Sequence, residues 1–417
     1  MFSSQPKKSR SFEAHYKEQQ PPSVEFLRDG PITVWGTVNP EGQPYSFFRP
    51  KQEASGVLIL GGGSEPGFVL EQVYSAVHRR PVWRLPKSSE GFGAALDRPD
   101  LLSLSRPSAG MTTQQMALWR VNALGQFPEL PRGCEFVAFS SMNLKVAEIY
   151  RQGGLLDAGV YAALFEHARR EGVMPRVDRL HKFDDRIAQD ALTAMVKQGR
   201  DDQLLYKGPG GFLGLMQSQR QNGEEFIYAC RCRGVGAVVC VALLENEKEV
   251  SLVSTMQWRP TEVSELGDPK PRMAPPISSL VVAPAAGLIM DSEPEAALVA
   301  EKDLLSKVVA ESLREAEEEI GFMPVPGQQP QLLAVMPSTD FASECHVYVL
   351  CRGVLSGVGG GVADEGERIL RGRVPLTKQG IAEFYANINR RGIQIETPLQ
   401  VALWLALVDE SQRGNAF

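Results

Sequence analysis

Three features of the sequence predict an α/β fold. Short apolar, β-branched runs such as residues 57–60, 235–244 and 250–257 alternate with helix-type stretches, above all residues 295–320, which are rich in Ala, Leu and Glu and contain no Gly or Pro. Gly, Pro and Asn clusters punctuate the two kinds of segment. Hydrophobic residues make up 43% and charged residues 23%, enough to bury a sizeable core and too apolar for a disordered or fibrous chain. A length of 417 residues suggests two to three domains.

Residues 1–30 have no apolar core segment and are expected to form a flexible arm rather than a secretory signal. Residues 33–37 alternate like a strand, residues 39–42 (Asn-Pro-Glu-Gly) turn, and residues 57–60 read as a buried strand followed by Gly61-Gly62-Gly63. The Gly-x-x-x-x-Gly-Lys pattern of a phosphate loop is absent there. Residues 79–133 mix Pro, Arg and Ser with weak periodicity, so an irregular surface stretch is expected. Apolar residues at three-to-four spacing predict helices over 144–151, 158–171 and 186–197, and core packing is their expected role. Lys207-Gly208-Pro209-Gly210-Gly211 marks the boundary between an α+β region, 31–206, and a second domain, 207–417. Asn222-Gly223 between strand-like runs predicts a hairpin. Strands follow at 235–244, 250–257, 278–283, 332–336 and 346–351, and a helix closes the chain at 398–407. No period of 20–50 residues repeats, which excludes a solenoid.

Charge narrows the function classes. Residues 1–240 hold 29 Lys/Arg against 25 Asp/Glu, and residues 241–417 hold 15 against 25. The acidic second half is a poor general binder of nucleic acid and a good place for a divalent cation. The longest apolar run, residues 235–244, is too short to span a bilayer. Six scattered cysteines without a C-x-x-C pair suit free thiols in a reducing, intracellular compartment, cytoplasm or mitochondrion, and speak against secretion.

The chemistry concentrates in Arg314-Glu315-Ala316-Glu317-Glu318-Glu319-Ile320-Gly321-Phe322. On a helix, Glu315, Glu318 and Glu319 share one face, expected to be exposed. Mutually repelling carboxylates are what a hard divalent cation relieves, although an acidic solvated face has the same look. Gly321 suits the C′ position that ends a helix.

This run resembles the signature of the Nudix hydrolases, G-x5-E-x7-R-E-U-x-E-E-x-G-U with U a bulky apolar residue. Gly287 and Glu293 supply the first half, and residues 314–322 the second, with Ala316 a small occupant of the first U. Between Glu293 and Arg314 the chain carries thirteen residues more than the signature, expected as a helical extension or extra turn ahead of an intact helix. Flanking segments resemble the ADP-ribose and nucleotide-sugar pyrophosphatase branch: Gln257-Trp258-Arg259-Pro260, Pro284-Ala285-Ala286-Gly287, Pro337-Ser338-Thr339-Asp340-Phe341-Ala342-Ser343-Glu344, and Asp364-Glu365-Gly366-Glu367. The resemblance covers about residues 207–410; residues 1–206 match no known pattern.

The resemblance implies a Nudix-type α/β/α sandwich with a mixed sheet. It implies an Mg²⁺- or Mn²⁺-dependent pyrophosphohydrolase acting on a nucleoside diphosphate linked to another moiety. Glu315, Glu318 and Glu319 would hold the metal, and Glu315, Glu344, Glu365 or Glu367 would serve the chemistry. Arg259 and Gly287 would meet the substrate. Arg314 would pair with a box carboxylate, Glu293 among the candidates, and Gly321 would be structural. The alternative is a Nudix-fold subunit of a larger assembly, such as a mitochondrial ribonucleoprotein, inactive or acting on RNA 5′ ends, with residues 1–206 contacting a protein partner.

Overall fold

The computed structural model describes residues 24–29, 32–38, 44–50, 54–61, 65–92, 96–107, 112, 114–125, 127, 129–180, 190–192, 202–207, 213–220, 223–232, 236–245, 249–258, 280–289, 304–339, 342–355 and 369–414. They form a mixed α/β protein with two large mixed sheets and two small antiparallel ones. Five α-helices are described along most of their length: α1 (Met142–Arg151), α2 (Ala158–Glu171), α3 (Leu304–Ile320), α4 (Lys378–Arg391) and α5 (Thr397–Gln412).

The first large sheet runs in the order Asp100–Ser105, Met116–Asn122, Ala54–Gly61, Gly67–Ser75, Arg80–Arg84, Leu155–Leu156, and Cys134–Ala138 also pairs with Gly67–Ser75. The expectation of an irregular stretch over 79–133 is thus corrected. Three strands of this sheet lie there, and Met116–Asn122 pairs in parallel with Ala54–Gly61. Short strands interrupted by Pro and Ser have little strand signal of their own, and their neighbours in the sheet supply it.

The second large sheet carries Gln331–Pro337, Cys345–Leu355, Ala237–Glu245, Val250–Trp258, Leu280–Ala283 and Gln394–Ile395 side by side, with Leu370–Pro375 also on Val250–Trp258. Two further short strands, Ala285–Leu288 and Phe322–Pro324, flank Ala237–Glu245 and Cys345–Leu355. Ala237–Glu245 and Cys345–Leu355 pair in parallel and are buried along most of their length, as strands covered on both faces are. Helices α3 and α5 both pack on Ala237–Glu245. Among the described residues no helix is long and apolar enough to cross a membrane.

The small sheets join Val24–Asp29, Ile32–Val38 and Pro44–Pro50, and Gln203–Lys207, Leu213–Gln219 and Glu225–Arg231. The first begins inside the expected arm. The second spans the boundary expected at 207–211, because Gln203–Lys207 pairs with Leu213–Gln219. The hairpin at Asn222-Gly223 has Gly223 at φ 82°, with the Arg220 N–H donating to the Glu224 carbonyl at 2.8 Å. One apolar core runs from Leu58 and Phe165 through Val239 to Trp404, joining both large sheets.

Candidate active site

Helix α3 carries the acidic run. Leu304, Val308, Ser312, Ala316, Glu319 and Ile320 form its buried stripe, at the spacing that lays one helix face on a sheet. The helix is unbroken from Leu304 to Ile320, so the part of the insertion that is described extends it at its N-terminal end. It stops at Gly321, whose φ of 62° a side chain would resist.

The three carboxylates do not share one exposed face, which corrects that expectation. Glu319 is only 6% exposed. Its Oε2 accepts from the Ala286 N–H at 2.9 Å and its Oε1 from the Gln257 side-chain amide at 3.1 Å. Gln257 is steadied in turn by the Thr255 hydroxyl, which donates to the Ala283 carbonyl at 3.2 Å. A carboxylate this deep is tolerable because charge-assisted hydrogen bonds replace its water. Glu319 therefore ties the helix to the strand end that holds Gln257.

Glu315 is largely covered and lies against Gly287. A Cβ on Gly287 would stand 2.0 Å from the Glu315 carboxyl carbon, so a side chain there would force Glu315 to move. Gly287 thus packs against the acidic helix. This also means that the two halves of the acidic signature meet in space although the chain between them is lengthened.

Arg314 is exposed and binds three carboxylates. Its Nη2 donates to Glu311 at 2.5 Å, and it also donates to Glu315 and Glu318. The hydrogen bond it donates to Glu311 leads the causes that raise its pKa above the ordinary arginine value. The expected pairing with a box carboxylate is present, and Glu311 is a partner that sequence reading missed. Among the described residues no three acidic, His or Cys side chains stand close enough together to hold a metal ion. The donor set is nonetheless all carboxylate oxygen, the chemistry a hard cation takes, and Arg314 supplies positive charge among Glu311, Glu315 and Glu318.

A second missed feature is basic. Arg371 and Arg373 alternate along Leu370–Pro375, and Arg371 sits opposite Thr255. Arg371 donates to the Ile320 carbonyl at 2.9 Å, which places it at the end of α3. Burial, and then repulsion from Arg373, lowers its pKa. The period-2 spacing of Arg371-Gly372-Arg373 is the signal that could have found this pair.

Glu344 is held by residues of two strands. It is buried, with Oε1 bound by Arg231 Nε at 2.7 Å and Oε2 3.3 Å from His346 Nε2. Arg231 belongs to the small sheet, which docks nearby through the Ser343 N–H and the Ala229 carbonyl at 2.9 Å. Glu344 thus fastens the small sheet to the large one. Arg259, Glu293, Glu365 and Glu367 lie outside the described residues.

No family model matches the chain, and no curated protein matches it. Among solved structures, the crystal structure of an ADP compounds hydrolase is similar over 53% of this chain and 100% of that one, at 15% identity and a TM-score of 0.32.

Proposed function

We propose that residues 207–417 work as a Nudix-type α/β/α hydrolase, cleaving a nucleoside diphosphate linked to another moiety, of the ADP-ribose or nucleotide-sugar kind. The observation that carries this reading is the contact of Gly287 with Glu315, which rejoins a signature that the sequence interrupts. In this reading Glu315, Glu318 and Glu319 would hold Mg²⁺ or Mn²⁺, in place of the ion pairs that Glu315 and Glu318 make with Arg314. Such an ion supplies charge at phosphate oxygens and an activated water. Glu319 fixes the helix through Ala286 and Gln257, and Arg371 and Arg373, with Arg259, meet the negative charge of the pyrophosphate. Because Glu344 is engaged by Arg231, the late general base is assigned to Glu365 or Glu367. Free thiols at all six cysteines suit a reducing compartment, cytoplasm or mitochondrion.

The clamp of Arg314 on Glu311, Glu315 and Glu318 favours a second reading, in which the fold is a docking module of a larger assembly such as a mitochondrial ribonucleoprotein. One experiment separates the two. Full-length protein with Mg²⁺ is assayed on ADP-ribose, nucleotide sugars and 5′-triphosphorylated RNA. Release of a phosphate-bond cleavage product from a small nucleotide, lost in Glu318→Gln, is the expected result. Cleavage of the RNA alone would move the substrate class. Wild type and Glu318→Gln equally inert on the whole panel would overturn the hydrolase reading in favour of the docking one.

A further inference from the structure

All seven strands of the first large sheet have a counterpart among the nine of the second. In each, a first and second strand form an antiparallel pair, Ala54–Gly61 with Gly67–Ser75 and Ala237–Glu245 with Val250–Trp258. A third strand is antiparallel to the second: Arg80–Arg84, and Leu280–Ala283. The first strand takes a parallel neighbour, Met116–Asn122 or Cys345–Leu355, which carries an antiparallel one beyond it, Asp100–Ser105 or Gln331–Pro337. The second strand also pairs with Cys134–Ala138 in one sheet and Leu370–Pro375 in the other. A helix follows, α1 or α4, then a two-residue strand parallel to the third, then a long helix, α2 or α5.

The agreement extends to single residues. After α1 the chain turns at Gly153, φ 77°, and after α4 at Gly392, φ 63°. Leu156 pairs with Trp83, and Ile395 with Val282. The next residue is acidic in both, and its N–H donates to the carbonyl of that same partner: Asp157 to Trp83 at 2.8 Å, Glu396 to Val282 at 2.9 Å. At the same distance beyond the acidic residue stand Ala163-Leu164-Phe165 and Ala402-Leu403-Trp404. One coincident strand order could arise by chance; a shared order, direction, left-handed glycine and N–H donor do not.

The units also pack reciprocally. Helix α2 lies on α5, its counterpart, with the Tyr161 and Trp404 rings 6.3 Å apart. The strand Leu155–Leu156 of the first unit adjoins Gln331–Pro337 of the second. The strand Gln394–Ile395 of the second adjoins Arg106, just after Asp100–Ser105 of the first, through Arg106 N–H to Ile395 carbonyl at 3.1 Å and Thr397 N–H to Arg106 carbonyl at 2.8 Å. Element i meeting j while j meets i is the pattern of a two-fold, isologous interface. The junction is locked by polar contacts: Glu166, fully buried on α2, accepts from Tyr385 Oη at 2.5 Å and Gln400 Nε2 at 2.6 Å.

We propose that residues 54–171 are a second copy of the fold of residues 237–412 that lacks the acidic helix, and that this copy fills the place of a second subunit. The chain is then a two-fold pair closed within one polypeptide. The face that α5 would offer to another protomer is covered from within, and each chain carries one acidic site. This holds whether or not that site hydrolyses anything, because it rests on the pairing alone.

The test uses the full chain. Sedimentation over a wide concentration range should give the single-chain mass, 45.7 kDa. A stable two-chain particle would overturn the substitution. Hydrogen exchange then reads the coupling of the units. Trp404→Ala, at the junction, should speed amide exchange in Met116–Asn122 and in Cys345–Leu355 by the same factor, about a hundredfold. Should that variant not fold, Tyr385→Phe removes only one hydroxyl from Glu166 and should speed both by about fivefold. Acceleration confined to Cys345–Leu355 would show independent units and overturn the proposal.

Discussion

Residues 85–99 and residues 284–330 connect corresponding strands of the two units, and their described parts differ. In the second unit this connection contains Ala285–Leu288 and α3 with its acidic run, packed on the sheet. In the first, apolar side chains from loops and from the strand Cys134–Ala138 cover the sheet. Val57, Ile59, Val69 and Val121 lie under Phe92, Leu96, Phe127 and Phe136, with Phe92 and Phe127 6.4 Å apart. Both covers bury the apolar face of a sheet, and either suffices for stability. Only the helix adds a row of carboxylates. The lesson is that the frame and the acidic run are separable: the frame needs something apolar over the sheet, and the carboxylates come with the helix.

The sharpest way to break this comparison is Glu318→Gln. It should lower Mg²⁺-dependent turnover by about a thousandfold or more, read as kcat/KM on the small nucleotide substrate. Its effect on thermal stability should stay within about 0.5 kcal/mol, since Glu318 is half-exposed and loses one helix-surface ion pair. Glu90→Gln, in the first unit's connection, should leave turnover unchanged; a loss there would mean that both connections serve the site.

Glu166→Ala tests the frame. It strands Arg169, Tyr385 and Gln400 at the buried junction and should cost about 3 kcal/mol in denaturant unfolding, with both units melting together. Two separate transitions would contradict the continuous core. A smaller effect, about 1–3 kcal/mol, is expected from Gly287→Ala, where a methyl group must displace Glu315. Turnover should fall with it, because the carboxylate moves. Finest of all are Gly153→Ala and Gly392→Ala. Each places a Cβ in left-handed backbone at the same turn of its unit and should cost about 1 kcal/mol by thermal melting. Markedly unequal costs would weaken the residue-level equivalence.

Much of the second unit was legible from the chain. Strands near 237–245, 250–258, 331–337 and 345–355, and helices α3 and α5, all follow from short-range patterns. The first unit was legible only in part. Helices α1 and α2 were expected, but Arg80–Arg84, Asp100–Ser105 and Met116–Asn122 were not, because their strand character comes from neighbours distant in sequence. The paired signals Gly153 with Asp157 and Gly392 with Glu396 were present in the sequence, and they gain meaning only when both are seen before a two-turn-or-longer helix on the same kind of sheet.

What the sequence by itself determined is the acidic helix and its composition. The spacing of Arg314, Glu315, Glu318, Glu319 and Gly321 acts within one or two helical turns, where side-chain geometry is set by the backbone period. What only the tertiary structure decided is where those carboxylates point and what they meet. Glu319 is buried because Gln257 and the Ala286 N–H receive it, Glu315 is placed by the space above Gly287, and Glu344 is held by an arginine from another sheet. The likeness of the two units belongs there too. A fold constrains the pattern of burial and pairing rather than residue identity, so two copies can keep a common set of strands in place while their sequences diverge.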